Sequence, residues 1–183
     1  MAGIDETRDF HPLNIAILTV SDTRTMDTDK SGATLQSRAE AAGHSVVERK
    51  IIPDNYEQLV QQLTQWANDS TVEVVITTGG TGVTGRDVTP EAVEAVGEKH
   101  IPGFGELFRW LSYKLISTST IQSRATAVVS KGTYIFALPG STGACKDAWD
   151  GILKDQLDIR HRPCNFAELI PRLQEHTGPG HHH

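Results

Sequence analysis

VVITTGGTGVTGRDVTPEAV, residues 74–93, opens as an apolar run rich in β-branched side chains, breaks into glycines and restarts at Thr89-Pro90. A short buried strand, a glycine turn and a proline-led helix predict one strand–loop–helix unit. Outward from it the same alternation recurs. Ile15 to Val20, Ser45 to Ile51, Val72 to Thr77 and Thr133 to Leu138 read as strands, and Ala125 to Ser130 as a fifth. Lys131-Gly132 is placed to turn that fifth strand antiparallel onto the next. Helical periods lie between them: Leu35, Ala39 and Ala42 up to a stop at Gly43; Leu59, Leu63 and Trp66; Phe104, Phe108, Leu111 and Leu115; Ala144, Ala148 and Ile152. Alternating strands and helices predict an α/β fold, a three-layer α/β/α sandwich on a mostly parallel sheet.

The 183 residues suffice for one domain with its own core. It is expected over 14–175, after an N-terminal extension over 1–13. Residues 176–183, ending in TGPGHHH, read as a disordered tail or a purification-tag remnant, so their histidines are set aside from metal reasoning. Ile159 to Asn165 reads as irregular. Cys145 and Cys164 are too few for a disulfide framework and match no C-x-x-C spacing, and Cys145 reads as a small buried residue. Together with an acidic start instead of a signal peptide, they point to the cytoplasm. No apolar run has the length of a membrane span. A formal net charge of −6 argues against nucleic acid or anionic lipid as partners, though backbone N–H groups can still bind a small polyanion.

In a parallel α/β sheet, ligands sit beyond the carboxyl ends of the strands. Three strands empty there into SDTRTMDTDKSG, GGTGVTGRDVTP and PGSTGACKD. Gly79, Gly80, Gly82 and Gly85, accompanied by Thr78, Thr81 and Thr84, let the backbone bring successive N–H donors close to phosphate oxygens. Helix starts near Pro90 and after Pro139 add unpaired donors, although Ser141 and Thr142 are equally ordinary helix caps. Residues 80–85 satisfy G-x-G-x-x-G, but no helix begins within the glycines and the acid roughly 20 positions on is Glu106, in PGFGELF; nicotinamide chemistry is therefore not expected. Walker A is absent, because no G-K-[ST] follows. The histidines form no metal-ligand spacing, and no Ser-His-Asp arrangement emerges.

Asp87 sits inside the glycine loop, where a fixed carboxylate near phosphate needs a divalent cation between them, which implies Mg²⁺. Asp54, in IIPDNYEQL, has two readings: a second metal ligand, or a helix cap completed by Glu57 three residues on. Arg86 and Lys146 are placed to meet phosphate oxygens. Asp22 and Asp29 lie in a hydrophilic loop and read as solvated.

TTGGTGVTGRDVTPEAV, IPGFGELFR, STSTIQSRA, FALPGSTGACKDAW and RPCNF together resemble the MoaB branch of the MoaB/MogA family of molybdenum-cofactor biosynthesis, over most of Asn14 to Leu173. The resemblance implies a molybdopterin-binding fold and a molybdopterin adenylyltransferase: ATP and molybdopterin as partners, Mg²⁺ as cofactor, pyrophosphate as product. It places the two essential carboxylates, catalytic and metal-binding, on Asp54 and Asp87. Pterin contacts fall on Thr78, Gly79, Gly80, Thr81, Glu106, Ser123, Pro139, Gly140 and Ser141, with Gly82 in the same loop and Ser21 and Asp22 bordering the pocket. It further implies a homo-oligomer, trimer or hexamer, with Phe104, Trp110, Ile116 and the irregular end at contacts between subunits. The alternative within the same pathway is a catalytically silent scaffold that binds molybdopterin or nucleotide without turnover.

Overall fold

The computed structural model describes residues 1–175; the tail expected over 176–183 lies outside them. A six-stranded sheet forms the centre, in the order β3 (Ser45–Ile52), β2 (Asn14–Val20), β4 (Val74–Thr78), β7 (Thr133–Leu138), β6 (Thr126–Ser130), β5 (Lys99–His100). The first four strands are mutually parallel, and β6 and β5 run antiparallel at one edge. Lys131 (φ 52°) and Gly132 (φ 83°) make the two-residue turn between β6 and β7, both in the left-handed region that such hairpins require.

Successive side chains of the central strands go to opposite faces, and both faces are apolar. Ile15, Ile17, Val74, Ile76, Tyr134 and Phe136 pack under α1 (Lys30–Ala41), α4 (Pro102–Ile116) and α5 (Thr142–Ala148). Ala16, Leu18, Val75, Ile135 and Ala137 pack under α2 (Tyr56–Ala67) and α3 (Thr89–Val96). The result is the expected three-layer sandwich. Leu59, Leu63 and Trp66 are fully buried on α2, and each such side chain contributes roughly 1.5–3 kcal/mol. Gly43, at φ 95°, ends α1 in the left-handed region, as its position predicts. No helix among the described residues is long and apolar enough to cross a membrane.

Several expectations need correction. Leu115 is 65 % exposed, because α4 turns that end of its apolar run away from the sheet. Phe104, expected at a subunit contact, is buried and packs tilted against Phe136, with 5.0 Å between ring centroids. The chain after α5 continues through a π-helical turn, Trp149–Leu153, and a last helical turn, α6 (Lys154–Gln156). The segment expected to be irregular contains β8 (His161–Arg162), which pairs antiparallel with β1 (Gly3–Ile4) before the short α7 (Phe166–Leu169). Residues 1–13 thus lie along the domain, with Arg8 donating to the Ile159 carbonyl at 2.7 Å.

His44, directly after α1, is buried against Phe10 and Trp149, and its Nδ1 accepts the Leu13 N–H at 3.1 Å. Burial pushes its pKa down from 6.5 to about 4, against the opposing charge of Asp158. The unfolded chain therefore binds this proton at a higher pH than the native one does. Stability from this group is complete above about pH 6.5 and is lost as the pH falls toward about 4. Denaturant unfolding across that interval is expected to show a slope that His44→Asn flattens; an unchanged slope would remove His44 as its source.

Candidate functional site

The carboxyl ends of β2, β4 and β7 meet glycine on glycine. Gly79 (φ 103°) lies so close to β2 that a Cβ there would sit 2.2 Å from the Val20 carbonyl oxygen, while one on Gly140 would sit 3.2 Å from the Gly79 Cα. Only glycine permits this approach. The Gly79 N–H donates to the Leu138 carbonyl at 3.0 Å, and the Thr78 hydroxyl to the Pro139 carbonyl at 2.9 Å, which fixes the two turns to each other.

A pocket of about 560 Å³ opens above this junction. On the side of the strand ends it is lined by Ser21, Asp54, Gly79 to Gly82, Asp87, Pro139, Gly140 and Ser141. The rest of the wall comes from Phe108, Ser112 and Ile116 of α4, from Ser119, Thr120, Gln122 and Ser123 in the 3₁₀ turn Ser117–Gln122 and just beyond it, and from Gly143, Ala144 and Asp147 of α5. The expected residues Ser21, Asp54, Gly79, Gly80, Thr81, Gly82, Asp87, Ser123, Pro139, Gly140 and Ser141 are therefore brought together. Thr78 lines an adjoining cavity of about 190 Å³ behind the Gly140–Ser141 turn. Asp22 stands beside the pocket, accepting from the Asp54 N–H at 3.1 Å and from Arg86. Glu106 is not on the pocket wall. It falls on the exposed side of α4, opposite the face that carries Phe108 and Ser112.

The two candidate acids differ in how they are held. Asp87 is half-buried; desolvation raises its pKa, but the Thr84 hydroxyl (2.7 Å), the Thr84 and Gly82 N–H groups and Arg124 outweigh that and hold it below the usual carboxylate range. Asp54 is raised, first by desolvation and then by the charge of Asp22, with Arg86 opposing and Asp87 adding. Its carboxylate accepts no hydrogen bond from another residue among those described. Nor does it cap α2: Asn55 is the N-cap, with Oδ1 accepting from Gln58 N–H at 2.9 Å. The capping-box reading of Asp54 with Glu57 is thereby overturned, since the helix starts one residue later than that spacing requires.

Both carboxylates rest on the glycine turn. A Cβ on Gly80 would lie 3.0 Å from Asp54 Oδ1, and one on Gly82 would lie 2.7 Å from Asp87 Oδ2. The buried Thr89 hydroxyl, without a hydrogen-bond partner, presses on the same Gly80, 2.3 Å from where that Cβ would be. Among the described residues no three His, Cys, Asp or Glu side chains close on one point. Two carboxylates with open space around them suit Mg²⁺, which keeps waters and takes substrate phosphate oxygens, better than a metal that needs an all-protein shell.

Of the two basic residues expected at phosphate, Arg86 is engaged with Asp22, and Lys146 is exposed and off the pocket wall. Asp29, expected to be solvated, is buried. It caps α1 through Gly32 N–H (2.9 Å), accepts from the Thr19 hydroxyl (2.7 Å) and pairs with Arg49 (2.9 Å), so it shapes the first loop from beneath.

Arg124 has no counterpart among the sequence expectations. Its Nε donates to the Gly82 carbonyl at 2.7 Å and its Nη2 to the Asp87 carbonyl at 2.9 Å, while Nη1 meets Glu91; its own N–H reaches the Thr81 carbonyl at 3.1 Å. One guanidinium thus ties both ends of the turn that carries Asp87. Any turnover that the site supports is expected to fall by about 10²-fold in Arg124→Ala through misplacement of Asp87, with Arg124→Lys recovering little because an ammonium lacks the fork. Wild-type turnover in Arg124→Ala would show that the turn holds itself.

Strand-end glycine loops, two acids and a pocket continued by α4 and α5 define an α/β domain suited to a phosphate-bearing organic ligand. The family described as "Probable molybdopterin binding domain" matches residues 16–159, and the chain belongs to it. Molybdenum cofactor biosynthesis protein B of Escherichia coli (strain K12) is 49 % identical over 158 residues, 86 % of this chain and 93 % of that protein. A crystal structure of a molybdenum cofactor biosynthesis protein B superposes with a TM-score of 0.82 at 38 % identity, over 91 % of this chain and 98 % of the other. The tungsten cofactor synthesizing protein MoaB from Pyrococcus furiosus does so with 0.70 at 34 % identity, covering 79 % and 92 %. The chain is thus a molybdenum cofactor biosynthesis protein with a molybdopterin-binding fold.

Proposed function

We propose that the protein transfers an adenylyl group from ATP to molybdopterin. The observation that carries this reading is the seating of Asp54 and Asp87 from separate strand ends against Gly80 and Gly82, on the wall of a pocket of about 560 Å³ that continues between α4 and α5. A terminal phosphate oxygen of molybdopterin forms a new bond to the α-phosphorus of ATP. The α–β anhydride bond breaks, its electron pair leaving on pyrophosphate. The glycine-loop N–H groups and Ser141 position the phosphate, and Asp54 and Asp87, the latter held through Arg124 and its turn, mark where charge must be offset. Mg²⁺ held by Asp54 and Asp87 would supply that neutralisation.

Molybdopterin and ATP are the partners in this reading, and the cytoplasm is the compartment. The protein assembles as a homo-oligomer, trimer or hexamer, through the exposed apolar side of α4 that carries Leu107, Trp110 and Tyr113. The test is pyrophosphate release from ATP in the presence of Mg²⁺, with and without molybdopterin. Release that depends on molybdopterin is the expected result. Pterin binding without release would replace the enzyme with a silent scaffold.

A further inference from the structure

The part of the pocket formed by α4 and α5 contains an acid for which the phosphate chemistry has no use. Asp147 lies on the pocket wall, the sixth residue of α5, and among the described residues it has neither a hydrogen-bond donor nor a cationic partner. An acid partly withdrawn from water and without a protein donor leaves its two oxygens open to donors from a ligand. Burial and the neighbouring Asp150 accordingly hold its pKa above the ordinary carboxylate range.

Small side chains flank Asp147 on α5. Gly143 lies one helical turn before it on the same face of α5, and a Cβ there would meet nothing within 4 Å. Ala144 continues this shallow shelf, and Phe108 and Ile116 of α4 also line the cavity. Ser141, at the phosphate end, and Asp147 are separated by roughly 9 Å at the helical rise of 1.5 Å per residue. That separation suits a ligand with an anionic arm at one end and a ring edge rich in N–H groups at the other.

We propose that Asp147 is the specificity-determining residue of the pterin subsite, accepting both the ring N3–H and the 2-amino group of the aminopyrimidinone edge through its two carboxylate oxygens. The inference rests on the reading of this pocket as the pterin site and goes beyond it by assigning the residue that reads the ring. A carboxylate offers two acceptors to two adjacent donors. It opposes a 2,4-dioxo ring, whose 2-oxo group is an acceptor. The amide of Asn offers one acceptor and one donor and fits that ring instead.

The test is a fluorescence titration of wild-type protein, Asp147→Asn and Asp147→Ser with 6-hydroxymethylpterin phosphate and with the corresponding lumazine phosphate, which carries oxygen at position 2. Melting curves check that both variants fold. The wild type is expected to prefer the pterin by at least about 10-fold, the cost of losing one well-made polar contact. Asp147→Asn is expected to lose or reverse that preference, and Asp147→Ser to bind both more weakly without distinguishing them. A wild type that binds the two equally, or an Asp147→Asn variant that keeps the wild-type preference, would overturn the assignment while leaving the pterin site in place. Failure of the wild type to bind either pteridine, or displacement of neither by molybdopterin, would overturn the pterin reading together with it.

Discussion

Asp87→Asn is expected to reduce molybdopterin-dependent pyrophosphate release by on the order of 10²–10³-fold, the loss typical when one preorganised charge-stabilising group is removed from a reacting phosphate or oxyanion. Pterin affinity should change little, because the substitution leaves the glycine turn and the α5 shelf intact. The amide oxygen can still accept from the Thr84 hydroxyl and N–H, so the loop keeps its shape. A variant that retains wild-type release at saturating Mg²⁺ would remove Asp87 from the reaction.

Asp54 and Asn55 provide the second large effect, as a contrast between neighbours. Asp54→Asn is expected to lose activity on the same scale without loss of stability. The sign follows from the raised pKa: above its folded pKa the ionised Asp54 costs the native state stability, and that cost is absent below the unfolded value. At neutral pH the amide should therefore leave the melting temperature level or slightly raised. Asn55→Ala should do the opposite, costing about 1 kcal/mol of stability through the lost cap while turnover continues. Thermal melts and initial rates of the two variants separate the roles. Destabilisation by Asp54→Asn with full activity would return that acid to a structural part.

How far these roles were readable depends on the distance over which each is set. The β7 strand, the Lys131-Gly132 turn and the glycine stop of α1 follow from local chemistry, and each falls where the residues place it. The three loops converge as expected because parallel strands leave their carboxyl ends at one edge. The helix start at Tyr56 was ambiguous since Asp and Asn are nearly equal caps, and one residue of shift moves the role from Asp54 to Asn55. Asp29 could be read only as one of several hydrophilic loop residues, because Arg49, which turns it into a buried pair, comes from a different strand.

Arg124 was hidden for the same reason: its carbonyl partners lie 42 and 37 positions earlier, and nothing near it in sequence announces them. Glu106 shows the converse. The PGFGELF motif carries the acid, but helical periodicity turns Phe108 to the pocket wall and leaves Glu106 on the other side. Asp147 was within reach, since Gly143 and Asp147 share a helix face, yet without the opposing α4 no pocket was visible for that face to line.

Asp54 and Asp87 are expected to share one divalent ion at the glycine turn. Crystals grown with Mn²⁺ in place of Mg²⁺ and a non-hydrolysable ATP analogue settle whether they do, because the anomalous signal locates the ion independently of the protein coordinates. A single peak within coordination distance of both carboxylates and of an α-phosphate oxygen is the expected result. A nucleotide bound in the pocket with the ion elsewhere, or with either acid turned away from it, would rule out the shared ion.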